Sequence, residues 1–585
     1  MLLVPVAPDG QRESRNVAEW EDLISEFFAQ KWGANRLDDI ARDRDFMRIS
    51  LGAPLRVEFK EVEAALKNVK QLHVLDAHGE CVAMWKMMWW ADPSAVIRHL
   101  EEVATSWDGF AAFLVNARVQ GKSSSRTLLA DCRTVMPLPA RAALIDFIIA
   151  ARLQRFLDVH LPRHPAVWEG ARPRTQMLDI SHGLSLVVEK AVDLGSRGAL
   201  SQCDVLSYYD SVDVVDTLRW MVARGLDLPT AAAAARSQLL PRLVLKCGEA
   251  VVEMPPRSRG ALTGSRVAGQ CGRVPVVCSL VAACRDARVR GWQMDGDEWT
   301  FSSFVDNVFS QASDANQAMT NCEVFEQHLR RDWRLNVKPT SCMVMPVRGS
   351  QDVAAERWHW RVVHPFPCLG VLIDDDGGCR SDLHACEDSM RKSLYRNCCG
   401  KAMKKLPVRL QQRHVDRMLR PLLLFRASRW PVGDSASSTI DRLQKKFLRM
   451  GVRCDREPGD SADEFFRRRG LSAKHAASRH GLWSDAHRSR VRDWRAHLLR
   501  ERNFPSPASR LVRWHGEAWR RERRIAAGSL SAEAGRLASR ILTHVWPRWD
   551  ESRVREELLF RSSSTGSSCS SRELARRLCY IFPSE

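Results

Sequence analysis

Two acidic positions far apart in the chain have the residue types and surroundings for chemistry. Asp306 lies within TFSSFVDNVFS, residues 300–310, where apolar and small residues alternate on both sides of Asp306-Asn307. That alternation predicts a β-hairpin with an acidic tip. Asp and Asn are also ordinary turn residues, so the tip needs a second carboxylate before chemistry can be read into it. Asp204 supplies one. ALSQCDVLSYYDSVDVVDTLRWMVARG, residues 199–225, reads as a strand that ends at Asp204 and gives way to a turn and a helix. From such a junction a carboxylate can point into a cleft. Carboxylates brought from separate strands to one edge suit hard divalent cations such as Mg2+. Two such ions about 4 Å apart stabilise the entering and leaving oxygens of a nucleotidyl transfer.

The elements that must position these groups can be read around them. After Asp204, either Ser211 or Asp213 caps a helix whose inner face carries Val212, Val215, Leu218 and Val222, with Gly225 closing it. Between the two acidic stretches Gly260, Gly264, Gly269 and Gly272 alternate with four arginines, which suits a close backbone approach to a phosphate-bearing strand. No Gly-Lys-Ser/Thr follows, so the stretch is not a P-loop. Upstream, Arg126 and Arg133 stand on a finger-like hairpin. They read either as a guanidinium grip for a triphosphate or as solvated surface charges. Beyond the acidic hairpin come a helix from Asp314 to Trp333 and a turn and strand carrying Lys338. HPFPCLGVLIDDDGG then reads as a second hairpin, in which Asp374, Asp375 and Asp376 form a solvated turn rather than a metal site.

Composition bounds the class. A chain of 585 residues is too long for one hydrophobic core. The 89 Lys and Arg against 70 Asp and Glu give +19, and the pI near 9.5 points to a polyanionic partner. No apolar run is long enough to cross a bilayer, and the N-terminus has no secretion signal, so the expected location is intracellular, nuclear and cytoplasmic, with no membrane partner. The 17 cysteines include no C-x-x-C pair and read as reduced, mostly buried residues without zinc. From about Leu383 the chain turns to long basic helices. In a second basic region Arg488, Arg492 and Arg495 are interleaved with Trp494, a pattern that suits single-stranded or hybrid nucleic acid as well as it suits a solvated amphipathic helix.

From about residue 55 to 450 the chain resembles the reverse transcriptase of non-LTR (LINE-type) retrotransposons. RVEFKEVEAALKNVKQLHVLDAHG is similar to the opening of that domain, CRTVMPL to its fingers motif, and GARPRTQMLDI to the glycine-arginine loop before the palm. CDVLSYYDSV is similar to the first catalytic motif, FVDN takes the place of the aromatic-x-Asp-Asp box, and LNVKPTSCMVM and FPCLGVLIDDDGG match the two motifs that follow. The resemblance implies an α+β fold. It is a right-hand polymerase of fingers, palm and thumb, with an antiparallel palm sheet, followed by a basic helical C-terminal region. It divides the chain into a helical extension (1–54), fingers and palm (55–382), a thumb-like region (383–470), a basic helical region (471–560) and a Ser-rich tail (561–585).

The resemblance also implies roles. Asp204 and Asp306, with the Val205 carbonyl, would hold two Mg2+ ions, or Mn2+ in their place. Tyr209 would gate the incoming sugar against a 2′-hydroxyl, and Arg126, Arg133 and Gly264 would contact the nucleotide. Lys338 would be the general acid for pyrophosphate, and Arg172 and Arg174 would contact nucleic acid. The partners implied are an RNA template, a DNA primer or target and deoxynucleoside triphosphates; no endonuclease, RNase H or Cys-His knuckle is recognisable, so the chain reads either as a fragment of a longer element or as dependent on a separate endonuclease. Two departures stand out. Asn307 replaces the second aspartate of the box, and Gly264 and Gly269-Gln270 stand in for the family's Gln-Gly. The alternative is a remnant that binds nucleic acid and has lost the chemistry. An RNA-templated RNA polymerase is disfavoured by Tyr209.

Overall fold

The computed structural model describes residues 20–32, 46, 54–70, 73–121, 132–172, 175–193, 196–247, 250–255, 257, 259–294, 297–347, 359–430, 434–500 and 506–511. Strands β1 (Leu114–Gly121) and β2 (Cys132–Val135) pair antiparallel. Next come β3 (Val167–Glu169) and β4 (Gly198–Asp204), and then the hairpin of β5 (Arg242–Cys247) and β6 (Ala250–Glu253). The small hairpin of β7 (Trp292–Met294) and β8 (Asp297–Trp299) leads into β9 (Phe301–Phe304) and β10 (Asn307–Ala312). The remaining strands are β11 (Met343–Val347), β12 (Arg361–Val362), β13 (Phe366–Cys368) and β14 (Val371–Ile373).

A six-stranded sheet of order β12-β11-β4-β10-β9-β3 organises the middle of the molecule. Its four inner strands are antiparallel, as expected, while the edge strands β12 and β3 pair parallel, so the sheet is mixed. Side chains alternate between its faces with period two. Leu200, Phe309 and Met345 enter a core with the helix Met177–Asp193 and the β13–β14 hairpin. Ala199, Cys203, Val308 and Val344 enter a core with the helices Arg266–Ala283 and Ala315–Trp333. The Asp314 side chain caps the second of these, accepting from Gln317 N. Burial on both faces leaves the strand ends as the places where polar groups reach a cleft.

A second sheet, β2-β1-β5-β6, is backed by the N-terminal helix Trp20–Lys31. Ile24, Phe28 and Trp32, four residues apart, pack on Val115, Ala117, Leu243 and Leu245. The helix Trp20–Lys31 is therefore packed onto this sheet. Pro93–Thr105, Ala140–His160, Val214–Val222 and Leu228–Leu239 belong to a large helical core beside it.

The last described region is all helix: Arg380–Cys398, Lys401–Lys404, Val408–Ala427, Asp434–Gly451, Ala462–His480 and Trp483–Arg500. The boundary expected at 470 falls inside one of these helices. Ala473, Ala476, Ala477 and Trp483 share one core with Leu394, Leu423 and Phe447, so one packed core runs across that position. Asp382 ties this region to the β13–β14 hairpin by accepting from Leu372 N, Arg426 and Trp430. Among the described residues no helix is long and apolar enough to cross a membrane.

Candidate active site

The site is built from the backbone outward. β4 ends at Asp204 and β10 begins at Asn307, and the two residues stand opposite each other in the antiparallel register. The β9–β10 hairpin closes through Val305 and Asp306 alone, so Asp306 sits at the tip beside the end of β4. Val205 N donates to Asp306 O at 3.2 Å, joining the two strand ends through the main chain. The two acidic residues first singled out from the sequence thus lie at neighbouring strand ends.

Backbone strain clusters at this edge. Of four described non-glycine residues with positive φ, Ser207 (46°) follows Asp204 and Val305 (58°) precedes Asp306. The left-handed region costs an L-residue about 1–2 kcal/mol. Strain of this kind persists where surrounding structure over-determines it, as it does at functional sites.

The Asn307 amide donates to Asp306 Oδ1 at 3.2 Å. It holds that carboxylate in one orientation and adds no second negative charge. Below the pair, the turn after Asp204 presents Tyr208 and Tyr209. Tyr208 is buried, and its hydroxyl donates to the Gly272 carbonyl. Burial pushes the Tyr209 phenol up to about 12, with a further contribution from the Asp306 carboxylate, so the Tyr209 ring and the hairpin tip share one electrostatic environment.

The glycine-rich stretch braces this turn from behind. Gly260 has φ +82°, and a Cβ there would come within 2.9 Å of the Asp210 carbonyl. Ala261 N donates to Tyr209 O at 2.6 Å. Only part of the stretch is a loop, contrary to expectation. Ser265 caps a helix starting at Arg266, which takes Gly269 and Gly272 into its first turns. A Cβ at Gly272 would meet the Tyr208 ring at 3.1 Å, so here the small residue serves close packing against the aromatic turn. Asp146 supports the same helix start by accepting from Ser265 Oγ and from Arg266 N at 2.8 Å, and burial raises its pKa. Gly264 is exposed at φ +114°, on the loop just ahead of that cap.

Lys338 joins the site through its backbone. Its N–H donates to Asp204 O at 2.8 Å, and Ser341 Oγ donates to its carbonyl at 2.6 Å while accepting from Asp204 N at 2.9 Å. Ser341 thereby fastens the Lys338 turn to the strand that carries Asp204. The sequence reading missed this serine, since nothing in its neighbours separates it from a turn residue. It also missed Trp32, whose indole N–H donates to Asp210 Oδ1 at 3.1 Å and ties the N-terminal helix to the Tyr209 turn.

Other expected site residues stand apart from this cluster. Arg133 lies on β2 opposite Gln120, while Arg126 and Arg174 fall outside the described residues. Arg172 bonds Glu169, which also holds the buried Arg273, so Arg172 belongs to an ion-pair cluster under the sheet edge. Arg488 pairs with Asp485, Arg492 is exposed, and Arg495 lies on the same helix, Trp483–Arg500.

Trp494 corrects the reading of that helix. It is 2% exposed, and its indole N–H donates to His182 Nδ1 at 2.9 Å, so it cannot stack on a nucleic acid. Val491, Trp494 and Leu498 form the inward stripe at helical spacing, and Trp494 and Leu498 pack on Leu178 and Ile180. Asp374 and Asp376 are occupied within their own turn, bonded by Ser381 N, Gly378 N and Arg380; Asp376 is exposed, as expected of a solvated turn, whereas Asp374 is buried beneath it.

Chemically, the cluster offers two carboxylates and main-chain carbonyls at adjoining strand ends. Among the described residues no group of three or more His, Cys, Asp or Glu side chains is arranged for a metal ion. One or two carboxylates are nevertheless the usual protein share of a magnesium site, with water and substrate phosphates completing it. The donor set therefore fits a hard divalent cation presented with a phosphorylated substrate. No protein-family model matches the chain, and no curated protein matches it.

Proposed function

We propose that the chain is an RNA-directed DNA polymerase of the LINE-type reverse transcriptase class, adding deoxynucleotides to a DNA primer end. The observation that carries this reading is the register of β4 against β10, which sets Asp204 beside the Asp306 tip with the Tyr209 turn beneath. In this reading the six-stranded sheet is the palm of a right hand, the β1–β2 hairpin belongs to the fingers, and the helices of 380–500 are the thumb.

Asp204, Asp306 and the Val205 carbonyl would hold Mg2+, which when bound offsets the charge repulsion between primer hydroxyl and triphosphate. Asn307 orients the Asp306 carboxylate through its amide. Tyr209 sets the floor for the sugar, where a 2′-hydroxyl would meet the ring. Lys338, held to the Asp204 strand by Ser341, supplies a proton to the departing pyrophosphate oxygen. The net charge of +19 supports a polyanionic template and primer.

Primer extension on an RNA template, in magnesium and in manganese, tests the reading, with Asp204→Asn and Asp306→Asn as controls. Extension by the wild-type chain that both substitutions abolish supports it. Equal background from all three chains in both metals overturns the enzyme reading in favour of a nucleic-acid-binding remnant, a reading that Asn307 in the box would suit.

A further inference from the structure

A cavity of about 390 Å³ lies at the opposite end of the β9–β10 hairpin from Asp306. Phe301 and Gln311 form part of its wall, and at about 3.3 Å per residue the hairpin tip is roughly 15 Å away. The volume falls in the range of small-molecule sites, about 300–1,000 Å³.

Its chemistry is one-sided. Arg163, Arg172 and Arg510 line it; Arg172 is paired with Glu169 and Arg163 also donates to the Asp158 carbonyl, while the one lining carboxylate, Glu298, is exposed and accepts from Thr300 Oγ1 at 3.2 Å. His164 lines it too, and its Nδ1 accepts from Ala166 N at 3.2 Å, so the neutral ring carries its proton on Nε2 as a donor. Trp299 is 3% exposed, and its indole N–H has no acceptor among the described residues. That nitrogen is shut off from solvent, so Trp299 offers the cavity its ring and not its N–H. The remaining walls are flat and apolar: Trp168, Pro165 and Pro507. The Arg510 guanidinium lies 4.2 Å from the Trp299 ring centroid, which holds a cation in place at the wall.

Guanidinium groups and an imidazole N–H call for an anion rich in acceptors. Flat aromatic and proline walls call for a planar ring. A nucleotide unit carries both, and we propose that this cavity binds one, with its phosphate toward Arg163 and Arg510 and its base against Trp168. The Asp204–Asp306 pair takes no part in this site. The nucleotide could be free or part of a single strand, since the recognising chemistry is the same.

Photolabelling the full chain with 8-azido-AMP, followed by peptide mapping, tests the proposal. The label is expected on the peptides holding Trp168 or Trp299, protected by excess AMP or by oligo(rA) and not by adenosine or inorganic phosphate. Protection by AMP identifies a free nucleotide as the occupant, and protection by oligo(rA) alone identifies a strand. Arg510→Ala should cut labelling about 10-fold, and Arg163→Ala at the exposed rim a few-fold, at unchanged melting temperature. Asp306→Asn should leave the label in place, which separates this site from the polymerase reading. Absence of label from both peptides overturns the proposal. So does native-level labelling of the folded Arg510→Ala and Arg163→Ala chains, or full protection by phosphate alone, which would mean an adventitious ion only.

Discussion

Replacing Asn307 by Asp separates a cation site from an ordinary turn. In the native chain the amide donates to Asp306 Oδ1 at 3.2 Å. Asn307→Asp deletes a donor worth about 1.5–3 kcal/mol to a charged acceptor and sets a second carboxylate beside the first. Both residues are half-buried. Two charges ~4 Å apart repel by about 4 kcal/mol at an effective dielectric of 20, and by about 1 kcal/mol where water separates them. Side-chain rotation relieves part of this, leaving an expected loss of about 2–4 kcal/mol in the metal-free variant. A divalent cation between the carboxylates reverses the sign, because it binds the folded state and gains a ligand from the substitution. Thermal unfolding in EDTA and in millimolar magnesium reads both effects. The variant should melt below the native chain in EDTA and show the larger rise with magnesium. An equal magnesium response in the two chains would refute the reasoning, as would a variant no less stable than the native chain in EDTA.

Other consequences can be measured independently. Trp32→Phe keeps an aromatic side chain but removes the bond to Asp210 and part of a buried ring, so denaturant unfolding should report a loss of at least about 1 kcal/mol, and an unchanged midpoint would mean the N-terminal helix does not brace the Tyr209 turn. Burial pushes the His487 imidazole down to about 4 from an unfolded value near 6.5. The unfolded chain therefore takes up the proton first, so stability is full above about pH 6.5 and falls toward pH 4 by up to about 3 kcal/mol; His487→Gln should flatten that slope in a series of melts. Tyr209→Ala should relax discrimination against ribonucleotides at least ~10-fold in single-nucleotide insertion, whereas unchanged selectivity would remove the ring from the sugar contact.

How far the sequence carried depends on the range of the interactions involved. The strand ending at Asp204 and the hairpin expected over residues 300–310 follow from alternation and are found, the second strand running on to Ala312, and of the two caps offered, Ser211 and Asp213, the helix uses Asp213. The register that pairs Asp204 with Asn307 is a long-range property, and local pattern only made it plausible. Trp494 shows the limit of reading an amphipathic helix. Arginine and tryptophan alternate along it, but which face is covered depends on a partner helix more than 300 residues away in sequence, at His182. The boundary at 470 failed for a related reason, since alanines such as Ala473 and Ala477 carry little hydrophobic signal and still complete a core. Gly269 and Gly272 read as loop residues by type, but a cap at Ser265 and support from Asp146 start a helix ahead of them.

The central claim, that Asp204 and Asp306 jointly hold a divalent ion, is tested most directly by replacing magnesium with ferrous iron and mapping local backbone cleavage by hydroxyl radicals. The account predicts cuts around both residue 204 and residue 306, suppressed by excess magnesium and lost at both places in Asp306→Asn. Cuts at one of the two strand ends alone, or cleavage that magnesium does not suppress, would contradict it.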